Sequence, residues 1–449
     1  MPVTLTRIVD RARDLSRDIQ QTVHHPLVGD AGLLAVSQYT ATGLGLMTTV
    51  IVARLLGPME YGVVAMVMAY PAFLWTFAAL KPVSVITRYL SSFRETGQNT
   101  DIKAVCKLGY SLDFLASLVA LALAGATGWW VMRHFLNMPD MVWLMMIYAA
   151  SFPLSSLAGT SIAILSSWQH FRWLAVLQVL DKLITLILVV GCMLAGLGVP
   201  GVVLGTAIGQ AINGAMLMAV ATYILRQDGI GLWWSSAINK GSPLSKELSA
   251  FLGWNYLSVT LSGLAGQVPL LLLGRLRGPE EAGFYRLATN LMTAGSLLET
   301  SLGRVTYPVL SARWYKGERK SLIRSIKRWT LHGGIPVSTL LFLTIPLLPL
   351  IVPEVFGLAY RPMVLGAQVM MAGAAISALF FWLSSAYYAF GKIRAWTKAY
   401  VIYTALVIGL ASLCIQWHGF FGLAGLVAVG KVLFTVSMVV ILITDRENC

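Results

Sequence analysis

The chain has 449 residues, of which 57% are hydrophobic and only 12% are charged. Because an average soluble domain has about 25% charged residues, this composition excludes an ordinary soluble enzyme, a disordered protein and a nucleic-acid-binding domain. It predicts a membrane protein with many spans, in which the net charge of +14 reflects positive cytoplasmic loops rather than a nucleic-acid partner.

The chain starts with a polar segment, residues 1–31, which predicts an amphipathic cytoplasmic helix on the inner membrane surface. A spanning helix needs about 20 mostly apolar residues. Twelve later segments meet this requirement and predict an all-α, polytopic membrane protein. These segments are residues 32–54, 60–88, 108–133, 141–167, 173–196, 200–225, 249–274, 283–308, 331–355, 362–390, 395–416 and 420–443.

Loop charge predicts the orientation of these spans. With the N-terminus inside, the inner segments carry about four times as many Lys and Arg residues as the outer segments. Both termini are therefore expected in the cytoplasm. The inner segment Arg319–Trp329 alternates apolar with basic residues, which predicts a basic amphipathic helix lying on anionic lipids.

The sequence also repeats itself. Residues 54–62 and 275–283 agree at six of nine positions, both contain Gly-Pro, and further glycines match at the same spacing of roughly 220 residues. The spacing predicts an N-lobe (32–226), a cytoplasmic linker (227–248) and a C-lobe (249–449). Since each lobe has six spans, both lobes enter the membrane from the same side, as parallel repeats.

The Glu residue that follows each Gly-Pro pair, Glu60 or Glu281, is expected to cap the next helix rather than to couple transport to an ion. The motif therefore predicts the architecture and says little about the chemistry.

The motif Arg54-Leu-Leu-Gly-Pro-Met-Glu-Tyr-Gly62 resembles the Wzx-type polysaccharide flippases, the O-antigen and exopolysaccharide branch of the MOP transporter superfamily. The segments Arg88-Tyr89-Leu90 and Arg304-Val305-Thr306-Tyr307-Pro308 continue the resemblance. MATE exporters and lipid II flippases are relatives of this branch. Lipid II flippases usually have fourteen spans, and two extra C-terminal spans are not predicted here.

The resemblance implies two six-helix lobes around a central cavity in a bacterial inner membrane. It implies an undecaprenyl-pyrophosphate-linked oligosaccharide, moved by alternating access from the cytoplasmic to the periplasmic leaflet for surface polysaccharide synthesis. A polysaccharide polymerase or co-polymerase is a further candidate partner.

Polar residues within spans are costly and mark candidate sites. Lys431 and Gln210 occupy equivalent positions of the repeat, so both are expected on a shared inward surface, where the lysine could hold a pyrophosphate or an acidic sugar. Arg88, Arg304 and Lys398 lie at the inner mouth and could capture the lipid pyrophosphate or simply anchor their helices.

Asp181 and Lys182 are neighbours near the midplane of the fifth span. Because adjacent helical residues point about 100° apart, both cannot face one cavity squarely, and at least one is expected to pair with another helix. Lys182 is the preferred substrate-binding residue of the two. Asp113, Asp181 and Glu299 are candidates for coupling transport to protons or sodium ions, or alternatively for structural ion pairs.

Two other functions are alternatives to the flippase. A cation-coupled, MATE-like exporter of small molecules keeps the fold, but the first predicted span of each lobe (32–54 and 249–274) lacks the acidic residue such exporters often use. A polyprenyl-linked glycosyltransferase or polymerase would need a sugar-donor or metal motif, and none is found. The sequence therefore predicts no enzyme, no resident cofactor and no metal site.

Overall fold

The computed structural model describes residues 26–79, 83–235 and 244–444. Most of the predicted N-terminal segment and part of the predicted linker 227–248 lie outside these residues. In the first half the helices are α1 (Pro26–Ala78), α2 (Val83–Glu95), α3 (Asn99–Trp130), α4 (Val142–Ala150), α5 (Phe152–Ser155), α6 (Ala158–Ser167), α7 (Phe171–Leu194) and α8 (Gly198–Gln227). In the second half they are α9 (Leu244–Arg277), α10 (Pro279–Gly295), α11 (Leu297–Tyr315), α12 (Arg319–Trp329), α13 (Ile335–Thr344), α14 (Leu348–Phe356), α15 (Val364–Ala378), α16 (Leu383–Ala389) and α17 (Ile393–Thr444).

The protein is an all-helical, multi-pass membrane protein. Among the described residues, 7 helical segments are long and apolar enough to cross a membrane, or 8 if the bent pair α15 and α16 forms one span. Two of the segments are interrupted by a glycine in the left-handed region, α1 at Gly57 (φ 73°) and α17 at Gly419 (φ 55°). Each therefore has two arms, and each arm is itself about 20 residues or longer.

The predicted span 60–88 is wrong in its last ten residues. The second arm of α1 ends at Ala78, and α2 is a separate helix that carries Arg88. The sequence has a proline at position 82, and proline cannot donate the backbone hydrogen bond that a continuous helix needs. In α2, Ile86 and Leu90 are buried while Arg88 is exposed, so α2 is an amphipathic helix rather than the end of a span.

Two other predicted spans are helical but interrupted. Residues 141–167 form the three short helices α4, α5 and α6, with Pro153 in α5. Residues 283–308 are divided at Ser296, between α10 and α11. Hydropathy indicates the length and apolarity of a segment, but it does not show where the backbone hydrogen bonds of a helix are interrupted.

Left-handed backbone positions recur through the two halves at a spacing of roughly 220 residues. Each one lies between successive helices, where the chain must reverse. The pairs are Gly57 with Gly278, Gly97 with Gly317, Asn137 with Gly357, Gln169 with Gly391, and Gly198 with Gly419. We call the end of the molecule with the turns at Gly57 and Gly278 the Gly-Pro end, and the end with the turns at Gly97 and Gly317 the basic end.

The predicted amphipathic helix Arg319–Trp329 is confirmed as α12. Its apolar residues Leu322 and Ile326 are buried. Its basic residues are exposed on the other side, and they include Lys320, Arg324, Lys327 and Arg328. The anionic lipid partner of this face stays a prediction.

Glu281 caps a different helix from the one that the sequence predicts. Its Oε2 accepts a hydrogen bond of 2.6 Å from the backbone N–H of Phe420, the first residue of the second arm of α17. The carboxylate thus joins the Gly-Pro turn of the second half to the left-handed turn at Gly419. Its counterpart Glu60 is exposed.

Candidate functional site

A cavity of about 660 Å³ lies between the two halves, lined by both arms of α1 and by α4, α7, α8, α9 and α10. Four of these helices each turn a stripe of polar side chains, spaced by three, four or seven residues, towards the cavity. Residues so spaced share one helix face. The stripes are Gln38, Thr42 and Thr49 in α1, Gln178, Lys182 and Thr185 in α7, Thr206 and Gln210 in α8, and Arg286, Asn290 and Thr293 in α10.

Two predicted substrate-binding residues, Lys182 and Gln210, line this cavity. The Lys182 ammonium lies 2.9 Å from the carboxylate of Asp181, so the structure pairs these neighbours with each other instead of pairing one with another helix. The Gln210 amide donates a hydrogen bond of 3.2 Å to the hydroxyl of Tyr148, another cavity residue.

Arg286 is a cavity residue that the sequence reasoning missed. It lies on α10, and its charge acts on the hydroxyl groups of Tyr61 and Tyr148. Among the described residues, no carboxylate lies within salt-bridge distance of its guanidinium. Arg286 is near the start of the predicted span 283–308, where a cation is usually interpreted as part of the preceding loop. The spacing of Arg286, Asn290 and Thr293 in an otherwise apolar segment is the signal that could have identified it.

The Gly-Pro end of the cavity is closed by backbone contacts between α1 and α10. A Cβ atom added to Gly62 would lie 1.7 Å from the carbonyl oxygen of Pro279, and one added to Gly283 would lie 2.2 Å from that of Pro58. Gly62 and Gly283 are equivalent positions of the repeated motif. Only glycine permits this approach, so the motif brings the two halves into direct contact.

Hydrogen bonds reinforce the closure at the Gly-Pro end. The Arg54 guanidinium donates to the backbone oxygen of Glu354 at 3.0 Å. The hydroxyl of Tyr360 donates to the backbone oxygen of Ala53 at 3.1 Å. The amide of Asn290 donates to the Tyr61 hydroxyl, also at 3.1 Å. Each bond joins the first half of the chain to the second.

Contacts between α1 and α11 nearer the basic end are made by side chains. Arg304 donates a hydrogen bond of 2.9 Å to the amide oxygen of Gln38, which lines the cavity. The Tyr39 hydroxyl donates one of 3.1 Å to the hydroxyl of Ser301. Arg304 therefore contacts a lining residue but is not itself among the lining residues. Arg88 and Lys398 are exposed and are not among the lining residues.

Lys431 and Glu299 do not line the cavity. Lys431 is half-buried in the second arm of α17, and its charge acts on the Glu299 carboxylate in α11. Within the described part of the chain, the buried Oε2 of Glu299 has no hydrogen-bond partner. No ion pair joins these two predicted site residues in the described part of the chain, so the lysine charge acts on the carboxylate without direct contact.

The contacts of Asp113 favour a structural role over ion coupling. It is 9% exposed, and its Oδ2 accepts hydrogen bonds from the backbone N–H of Thr160 at 3.0 Å and from the Thr160 hydroxyl at 2.7 Å. These bonds tie α3 to the first turn of α6. The carboxylate serves as a helix cap supplied by a neighbouring helix.

Replacing Asp113 by alanine is expected to lower the free energy of unfolding by about 1–3 kcal/mol, because the buried donors of Thr160 lose their acceptor. Thermal unfolding in detergent measures the change. Asp113→Asn keeps an acceptor oxygen and should lose less. A folded Asp113→Asn protein that no longer responds to an ion gradient would contradict this structural role.

The chain is similar to several known proteins. A family model described as "Polysaccharide biosynthesis protein" matches residues 27–314, which is more than half of the chain. Inner membrane protein YghQ of Escherichia coli (strain K12) is 22% identical over 335 residues, covering 74% of this chain and 93% of that protein.

Two solved structures share the fold. An inward-facing multidrug resistance MATE family transporter of the MOP superfamily has a TM-score of 0.73 and 13% identity, covering 89% of this chain and 92% of its own. The lipid II flippase MurJ, in an inward closed conformation, has a TM-score of 0.73 and 15% identity, covering 91% and 87%. The chain therefore has the fold of transporters rather than that of an enzyme.

Proposed function

Because this chain belongs to the polysaccharide biosynthesis protein family, we propose that it flips an undecaprenyl-pyrophosphate-linked oligosaccharide from the cytoplasmic to the periplasmic leaflet. The observation that carries the proposal is the cavity wall. Its amides, hydroxyls and two cations suit the hydroxyl groups of sugars and the negative charge of a lipid-linked glycan, and no Asp or Glu occurs among the described lining residues.

The proposed architecture has twelve spans in two parallel lobes, residues 32–226 and 249–449, joined by the linker 227–248. The paired left-handed turns support this division, since they give both halves the same order of helices and reversals. The exposed cations of α12 support a cytoplasmic basic end and cytoplasmic termini in a bacterial inner membrane.

The two ends of the cavity support alternating access. The Gly-Pro end is sealed by backbone contacts, whereas side-chain hydrogen bonds cross between α1 and α11 nearer the basic end. Side chains can rotate away without moving the backbone, so substrate is loaded from the basic end. Release needs α1 and α10 to separate at Gly62 and Gly283.

A MATE-like exporter of small molecules is the second candidate, and the likeness to a MATE family transporter favours it. Exporters of organic cations need an anionic group to hold the cargo. The described cavity wall offers none, so the cavity favours the lipid-linked glycan. Contact with a polysaccharide polymerase or co-polymerase remains a proposal that only the family supports.

Reconstitution tests the proposed function. Purified protein in vesicles is given an undecaprenyl-pyrophosphate-linked oligosaccharide, and the glycan is followed by its accessibility to a membrane-impermeant lectin. We expect accessibility on the far side to rise in vesicles with protein and not in empty vesicles. Equal accessibility in both, together with export of a cationic dye, would replace the flippase with the exporter.

A further inference from the structure

A second cavity, of about 350 Å³, lies in the second half at the Gly-Pro end. It is a groove between α14 and the start of α15, which are joined by the turn at Gly357. None of its lining residues belongs to the central cavity, so it is a separate site. We call it the proline groove, and its walls include Pro349, Pro353, Leu358, Arg361, Leu365 and Gln368.

The walls of the proline groove suit a hydrocarbon chain. Leu358 and Leu365 are each more than half exposed, as expected of side chains that face lipid. The amide nitrogen of the half-buried Gln368 donates a hydrogen bond of 3.0 Å to the backbone oxygen of Ile345. That oxygen lies four residues before Pro349, which has no N–H to offer it. The polar donor at this end of the groove is therefore already engaged.

The cation of the groove, Arg361, lies at its opposite end. It belongs to the turn that joins α14 to α15, whereas Gln368 lies about 6 Å further into the membrane, one helical turn beyond Val364. Arg361 is exposed, and among the described residues no carboxylate lies within salt-bridge distance of its guanidinium. A cation above an apolar groove is complementary to a phospholipid, in which a phosphate lies above an acyl chain.

The turn that carries Arg361 also holds the Gly-Pro end closed. The backbone oxygen of Glu354 accepts from Arg54 at 3.0 Å, and the Tyr360 hydroxyl donates to the backbone oxygen of Ala53 at 3.1 Å. Glu354 and Tyr360 each lie next to a groove residue in the sequence. Within the described residues, the corresponding turn of the first half, at Asn137, makes no hydrogen bond to the second half. A ligand that fixes the groove therefore also fixes the turn that binds α1.

We propose that the proline groove binds an anionic phospholipid from the leaflet on the Gly-Pro side, which is the periplasmic leaflet in the proposed orientation. Arg361 holds the phosphate, and the apolar walls hold one acyl chain. The bound lipid favours the closed Gly-Pro end, because it binds the turn in the shape that contacts α1. This site is independent of the cargo, so the test needs no transport.

Binding is tested by photo-crosslinking in phosphatidylcholine vesicles that contain the full-length protein. A trace of phosphatidylglycerol or of phosphatidylcholine, each with a photoreactive acyl chain, is added, and crosslinks to residues 348–368 are counted by peptide mapping. With the unmodified protein, phosphatidylglycerol should give about 10-fold more crosslinks than phosphatidylcholine, the value of a charge-assisted hydrogen bond. Arg361→Gln should reduce the phosphatidylglycerol crosslinks to the phosphatidylcholine level.

Arg133→Gln is the matched control, because it changes another exposed cation of the Gly-Pro end, one that stacks on Trp129 at 5.1 Å and lines no groove. It should leave the crosslinks unchanged. Leu365→Trp fills the groove with a larger side chain and should lower the crosslinks while Arg361 is intact. Equal crosslinking by the two lipids, or an unchanged yield in Arg361→Gln, would overturn the site.

The effect on the closed end is tested with a cysteine at Thr293, a residue of the central cavity. In phosphatidylglycerol vesicles, labelling by an impermeant maleimide from the Gly-Pro side should be about 5-fold slower than in phosphatidylcholine vesicles. Arg361→Gln should abolish this difference, whereas Arg133→Gln should keep it. The same lipid dependence in Arg361→Gln as in the unmodified protein would show that lipid acts elsewhere, and would overturn the link between the groove and the closed end.

Discussion

Replacing Gly62 by alanine is expected to force the Gly-Pro end open and to shift the protein towards a state whose cavity is reached from that side. The added methyl group would lie 1.7 Å from the Pro279 carbonyl oxygen, and its neighbours are backbone atoms that cannot rotate away. Overpacking of this kind costs about 1–3 kcal/mol, which changes a population ratio by roughly 5- to 150-fold. Gly283→Ala should act in the same way through Pro58.

The shift can be measured with a cysteine placed at Thr293, an exposed residue of the cavity wall. Labelling by a membrane-impermeant maleimide from the Gly-Pro side should become at least about 5-fold faster in Gly62→Ala, while glycan translocation falls. Gly43→Ala is the matched control, because it changes a glycine of the same helix that has no atom within 4 Å.

A folded Gly62→Ala or Gly283→Ala protein with unchanged labelling and unchanged translocation would show that this contact is not the gate. Thermal unfolding separates that result from a loss of fold. Because the two glycines close one interface, the double variant should open it little further than either single variant does.

The Gly-Pro turns and α12 could be predicted because their signals are local. Gly57 and Gly278 need only a left-handed turn, and α12 is encoded by its own spacing of apolar residues. The role of Gly62 could not be predicted in this way, since it depends on a carbonyl group more than two hundred residues away. The same nine-residue motif therefore indicated the repeat but not the contact that the repeat makes.

The same difference between local signals and long-range contacts applies to the residues of the candidate site. Lys182 and Gln210 could be proposed because polar residues within a span are rare and costly. The direction in which a helix turns such a residue depends on its neighbours, so equal depth in the repeat did not bring Lys431 to the cavity beside Gln210. Arg286 was missed because hydropathy cannot separate a cation near a helix start from a loop cation.

Replacing Lys431 by methionine is expected to destabilise the protein by about 1 kcal/mol, because it removes a positive charge that acts on the Glu299 carboxylate. The effect is small because Lys431 is only half-buried and no ion pair joins it to Glu299 within the described residues. The double variant Glu299→Gln, Lys431→Met removes both charges and should recover most of the loss. Thermal unfolding of the two single variants and the double variant gives the coupling between them.

The same double variant tests whether Glu299 couples transport to an ion. A buried carboxylate oxygen without a hydrogen-bond partner can take up a proton or a sodium ion, and the Lys431 charge competes with either. If Glu299 is the coupling group, the stable double variant should still move glycan down its own gradient but should no longer respond to an imposed proton or sodium gradient. If it follows that gradient as the unmodified protein does, the coupling group lies elsewhere, and Asp181, which contacts the cavity through Lys182, becomes the residue to replace next.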